Sequence, residues 1–128
     1  MTAPIASDAF APTVGLTLDV LSGEIELAAA RCIRLDKILG EFMDRLPTAE
    51  RQVLTESLHG VDLLAQHLTG LAGFARTMSF ATPADAAAPV DGALAGLTLG
   101  ALAERIGEGL GKPVPPSDDV DPGEVDLF

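Results

Sequence analysis

Residues 18–50, LDVLSGEIELAAARCIRLDKILGEFMDRLPTAE, decide the fold. Apolar side chains recur at Leu18, Leu21, Ile25, Ala28, Cys32, Leu35, Leu39, Phe42 and Leu46, an alternation of three and four. That spacing keeps one stripe on one side of an α-helix and reads as a heptad seam. A helix over residues 17–46 would be about 45 Å long. It stops at LPTAE, because a residue before proline is driven out of the helical region, and this residue is Leu46. Thr48 is then expected to cap a second helix carrying Glu50 in its first turn, where a negative charge meets the positive end of the helix dipole.

The second helix has its own seam at Leu54, Leu58, Val61, Ala65, Leu68, Ala72 and Ala75, widened on one flank by Leu64, Leu71 and Met78. A link this short makes the two helices antiparallel neighbours, a hairpin over residues 17–79. Two helices cannot cover both stripes. Leu35, Ile38, Leu64, Leu71 and Met78 would stay partly wet in a monomer. The fold class expected is therefore all-α, a long antiparallel helical hairpin that dimerises into a four-helix bundle, with a flexible acidic C-terminal tail. The alternative is a later segment folding back as a third helix.

Composition narrows the function. The chain has 128 residues, 48% of them apolar, with no Trp or Tyr and five Phe, so its core is built from Leu, Ala, Val and Ile. Those residues suit helices. A net charge of -11, with eight Lys and Arg against nineteen Asp and Glu, argues against nucleic acid and against an anionic membrane surface. No apolar run reaches the length of a membrane span, and the first residues lack the basic and apolar regions of a signal peptide, which places the protein in the cytoplasm. Cys32 is the only cysteine. It excludes an internal disulfide and a Cys-rich zinc site, and is read as a small core residue.

Around the hairpin lie weaker segments. Residues 1–16, with Pro4, Pro12 and Gly15, read as a loose arm, and residues 80–93 as an Ala- and Pro-rich linker. Residues 94–111 suggest a short amphipathic helix with Leu99, Leu102, Ile106 and Leu110 on one face and Thr98 as its N-cap. Gly100, Gly107 and Gly109 weaken it by about 1 kcal/mol each relative to Ala. The stretch TLGALAERIG is similar to the first helix of a helix-turn-helix unit, but KPVPPSDDVDP after it cannot form a recognition helix. Residues 112–128 form an acidic, Pro-rich tail, solvated for most of its length. At its end Asp121, Pro122 and Glu124 stand as a capping box ahead of Val125, Leu127 and Phe128, apolar residues that could fold against a partner.

The second helix also carries a polar stripe: Thr55, His59, Asp62, Gln66, Thr69, Gly70 and Gly73. Asp62 and Gln66 are one turn apart and can reach one small volume. Gly70 and Gly73 leave room for another backbone, either the neighbouring helix or a partner. Asp62-Leu63-Leu64-Ala65-Gln66 resembles the Asp-x-x-x-Gln signature of CheZ-type response-regulator phosphatases, helical hairpins that dimerise and end in an acidic-hydrophobic peptide that docks on CheY. The resemblance implies a two-component, chemotaxis-type role with a receiver domain as partner. In it Asp62 engages the regulator's active-site lysine, Gln66 orients the water that attacks the aspartyl phosphate, and Val125, Leu127 and Phe128 dock on the regulator. The Mg²⁺ would be the regulator's, this chain binding no cofactor or metal of its own. His59, one turn before Asp62, could assist.

Two other classes compete. His59 or His67 could make a histidine phosphotransfer protein, although Thr69 stands where a phosphate-pairing lysine is wanted. A non-enzymatic dimeric adaptor could instead act through EVDLF, which resembles the peptides bound by bacterial sliding clamps, with Glu124 in place of their key Gln. Zinc binding by His59, Asp62 and Gln66 is disfavoured because an amide is a poor zinc ligand.

Overall fold

The computed structural model describes residues 10–112. Helix α1 spans Val14–Phe42 and is followed by a 3₁₀ turn, Met43–Arg45. Helix α2 spans Thr48–Ala81, α3 Asp91–Ala95 and α4 Gly100–Gly109. No strand occurs among the described residues, which bears out the all-α class and the helical pair.

Helix α1 starts three residues ahead of its expected position, because Thr13 caps it. The Thr13 side chain accepts a hydrogen bond from the Leu16 amide at 3.1 Å and so satisfies one of the orphan donors of the first turn. Helix α1 ends at Phe42, four residues short of its expected end, and the 3₁₀ turn carries the chain to Pro47, where the reversal lies as expected; Thr48, however, does not cap α2. Pro47 takes the N-cap position, with φ -58° and ψ 159°, and Thr48 is already helical. Arg51 closes this end by donating from Nη2 to the Leu46 carbonyl at 3.1 Å.

The seam of α2 lies where its sequence puts it, with Leu58, Ala65, Ala72 and Ala75 buried and Leu54, Val61 and Leu68 half-buried. That of α1 is rotated by one row. Its buried residues are Ser22 and Ala29, neither of which belongs to the expected stripe. The row Leu18, Ile25, Cys32 and Leu39 is kept, half-buried beside them, while the row that contains Leu21 and Phe42 lies at the edge and leaves both exposed. Small residues win the contact because α1 and α2 approach closely. A Cβ on Gly15 would lie 3.2 Å from the Ser79 carbonyl oxygen, and Ser79 Oγ donates to the Gly15 carbonyl at 2.6 Å. The seven-residue repeat carries that register on to Ser22 with Ala72 and Ala29 with Ala65, small against small.

The described parts of the expected arm and linker pair with each other. Val14 donates its amide to the Ala86 carbonyl at 2.8 Å, Ala88 to Pro12 at 3.2 Å and Val90 to Phe10 at 3.3 Å, around an antiparallel bridge between Thr13 and Ala87. The expected helix over 94–111 is shorter, beginning at Gly100, and Thr98 does not cap it. Leu99 holds the N-cap position without a side-chain bond.

Helix α4 folds back on α1. Arg105 Nε lies 2.9 Å from Glu24 Oε1, and a Cβ on Gly109 would come within 3.0 Å of Val20 Cγ1. Gly109, one of the glycines that weaken α4, therefore has a packing role. Even so, Leu64, Leu71 and Met78 remain 49%, 56% and 42% exposed, as does Ile38 at 40%. Among the described residues, no helix is long and apolar enough to cross a membrane.

Candidate functional site

Helix α2 carries two edges of opposite chemistry beside its seam. Leu64, Leu71 and Met78 recur every seven residues along one edge, and Asp62, Thr69 and Arg76 along the other. The polar edge is fixed to α1 by Arg76, which lies 2.8 Å from Glu26 Oε1 through Nη1 and 3.6 Å from Asp19 Oδ1 through Nε. Asp62 and Gln66 stand on this polar side. Gln66 Nε2 donates to Asp62 Oδ2 at 3.0 Å, and both side chains are exposed.

The amide of Gln66 is thereby oriented before any partner arrives. Its Nε2 is turned to the carboxylate, which sets the direction of its carbonyl oxygen. Such a pair presents a donor, an acceptor and one negative charge within a single helical turn. Thr55 and Thr69 on the same side turn their hydroxyls back to the Arg51 and Ala65 carbonyls, both at 2.9 Å. A Cβ on Gly70 or Gly73 would meet nothing within 4 Å. These glycines do not accommodate α1, and they leave a low, open surface next to Gln66.

The other expected site residues divide. His59 and His67 are exposed, and no hydrogen bond joins His59 to Asp62 among the described residues. Val125, Leu127 and Phe128 lie outside the described residues. No group of three His, Cys, Asp or Glu side chains that could hold a metal occurs among the described residues.

The helices also enclose a groove that the periodicity of α1 and α2 does not predict. A groove of about 440 Å³ opens between α1 and the α4 segment, with Leu21, Ala28, Cys32, Leu68, Leu102 and Ile106 in its walls and Arg31, Arg105 and Glu24 among its polar residues. Cys32 is half-buried in this wall, which corrects the expectation of a sealed core residue. The signal was present in α1, where rows starting at Leu18, Leu21 and Ser22 make a surface wider than one partner helix can cover.

A family model described as "Domain of unknown function (DUF8776)" matches residues 12–128. The chain belongs to this family. The matched span begins next to the capping Thr13 and includes α3, α4 and the acidic end, so the DUF8776 unit is larger than the hairpin. No curated protein and no solved structure matches the chain.

Proposed function

We propose that this DUF8776 chain is a two-component signalling auxiliary protein, a CheZ-like phosphatase that accelerates hydrolysis of a response regulator's aspartyl phosphate. The exposed Asp62–Gln66 pair, joined at 3.0 Å on a rigid helix, carries the reading. In the reaction a water oxygen attacks phosphorus and the bond from phosphorus to the acyl oxygen breaks. The regulator's carboxylate is restored, and inorganic phosphate leaves with the water's proton. Such a transfer depends on positioning more than on a strong base. Gln66 supplies an amide that can hold the water in line, and Asp62 supplies a carboxylate for the regulator's lysine. Gly70 and Gly73 make the neighbouring surface low enough for a receiver domain to approach, and Val125, Leu127 and Phe128 tether it. The Mg²⁺ is the regulator's, and the setting is the cytoplasm, where receiver domains work.

The working form is a homodimeric four-helix bundle joined through Leu64, Leu71 and Met78. Their edge is opposite Asp62, so dimerisation leaves the pair open to a regulator. Substituting Leu64→Glu with Leu71→Glu puts charges into that interface, and sedimentation of the full chain should shift to the monomer.

The decisive experiment follows loss of phosphate from acyl-phosphorylated receiver domains in the presence of the full chain. Gln66→Ala and Asp62→Asn should each reduce the acceleration by about tenfold or more, corresponding to about 1.4 kcal/mol of lost transition-state stabilisation. Acceleration that survives both changes overturns the phosphatase reading. The other reading is a non-enzymatic adaptor acting through EVDLF, which lies within the matched family span. That protein would tolerate both helix changes and lose its partner when residues 121–128 are removed.

A further inference from the structure

We infer that the groove between α1 and α4 is a binding site for a small uncharged aliphatic molecule, a medium-chain alcohol, amide or ester rather than a fatty acid. The walls set the apolar part of this ligand. Both helices of the hairpin contribute, Leu21, Ile25 and Leu35 from α1 and Leu68 from α2, and α4 adds Leu102 and Ile106. The space of about 440 Å³ lies within the range of small-molecule sites, about 300–1,000 Å³, which are lined chiefly by apolar side chains with a few polar groups.

The charges set the head group. Arg105 donates from Nε to Glu24 Oε1 at 2.9 Å, and the two side chains are 33% and 17% exposed, so their charges meet each other beside the apolar wall. Arg31, the other charged residue of the wall, is engaged as well. A carboxylate entering the groove would lose its water, face Glu24 and find Arg105 already paired. A hydroxyl or amide escapes that cost and can still hydrogen-bond at the edge of the ion pair. The space is also built into the fold. Helix α4 meets α1 closely at Gly109, where a Cβ would lie 3.0 Å from Val20 Cγ1, and Lys112 Nζ ties the end of α4 to Asp91 Oδ1 at 2.7 Å. One turn before Gly109, the long side chains of Arg105 and Glu24 span the gap between the helices. These contacts fix α4 over α1 with the apolar space beside them, so a ligand enters without first separating the helices. Asp62 and Gln66 do not line the groove, and the site stands apart from the phosphatase reading.

The test titrates Nile red, an uncharged dye that brightens in apolar surroundings, into the full chain, with decanol and decanoate as competitors below their solubility limits. The dye should bind saturably and decanol should displace it. Decanoate should compete more weakly by roughly tenfold or more, the cost of an unpaired charge. Ala28→Phe fills the groove and should abolish dye binding with helical circular dichroism retained. Glu24→Gln uncovers Arg105 and should narrow the preference for decanol about tenfold. In the unsubstituted chain decanol should slow alkylation by N-ethylmaleimide of Cys32, the only cysteine and a wall residue. Absence of saturable binding overturns the proposal, and equal competition by decanoate overturns its uncharged chemistry. Dye binding that survives Ala28→Phe belongs elsewhere and overturns the site. Binding that falls as protein concentration rises gives the groove to a second copy and overturns it as well. If Ala28→Phe does not fold, the Cys32 reaction decides: equal rates with and without decanol overturn the assignment.

Discussion

Arg76 on α2 donates from Nη2 to Ser22 Oγ on α1 at 3.0 Å, and Ser22 is completely buried. The serine passes the connection on, donating to the Asp19 carbonyl at 2.7 Å. One small hydroxyl thus satisfies a cation at the edge of the hairpin and fits a seam too narrow for a larger side chain. Ser22→Ala removes the hydrogen bonds and leaves Arg76 with its carboxylates, at a cost of about 1 kcal/mol. Ser22→Leu must instead force the helices apart, and should destabilise by about 1–3 kcal/mol or more. Urea unfolding should rank leucine below alanine, and equal midpoints would show that the seam is not closely packed.

Gly109 tests the contact of α4 with α1. Alanine would raise the helix propensity of α4, but its methyl would lie 3.0 and 3.2 Å from the two Val20 methyl carbons. Valine is stiff at χ1 and cannot easily turn aside. Gly109→Ala should therefore destabilise by about 1–2 kcal/mol, and Val20→Ala in the same chain should restore much of that loss. Amide exchange in residues 100–109 would report it, and wild-type protection in Gly109→Ala alone would contradict the close approach.

Gly70 and Gly73 give the opposite expectation. Both lie inside α2 with open space where a Cβ would stand. Replacing either by Ala should stabilise the chain by about 1 kcal/mol through helix propensity. If a receiver domain sits on this surface, the same substitutions should slow dephosphorylation of the regulator while raising the melting temperature. A gain of stability with no change in rate would remove these glycines from the proposed contact.

Thr13 is placed to start α1. Thr13→Ala removes the acceptor for the Leu16 amide and should cost about 1 kcal/mol, read as a lower thermal midpoint. Thr13→Ser retains the hydroxyl and should restore most of it.

The spacing of leucines and alanines was enough to read the hairpin, its turn at Pro47 and the complete seam of α2, because a three-four alternation admits one helical face. The α1 seam was misread for a physical reason. Hydrophobicity favours the row with Leu21, Leu35 and Phe42, whereas close approach selects Gly15, Ser22 and Ala29 for their small size. Pairing of Asp62 with Gln66 followed from their separation by one turn. The groove was not legible, since it depends on where α4 returns, and that is set by Arg105 meeting Glu24 across most of the chain's length. Thr48 and Thr98 were misassigned as caps because a threonine near a helix start can stand inside the helix or beyond its edge.

The bridge between Thr13 and Ala87 fastens the hairpin at the end away from Pro47. On the way to Pro47 the buried residues stop at Ala29 in α1 and at Leu58 in α2. The molecule should therefore unzip from its tip, with hydrogen exchange quickening from residue 58 back to 48 while the opposite end stays shut. Asp62 and Gln66 stand just inside the last firm clasp, so thermal fraying stops short of them.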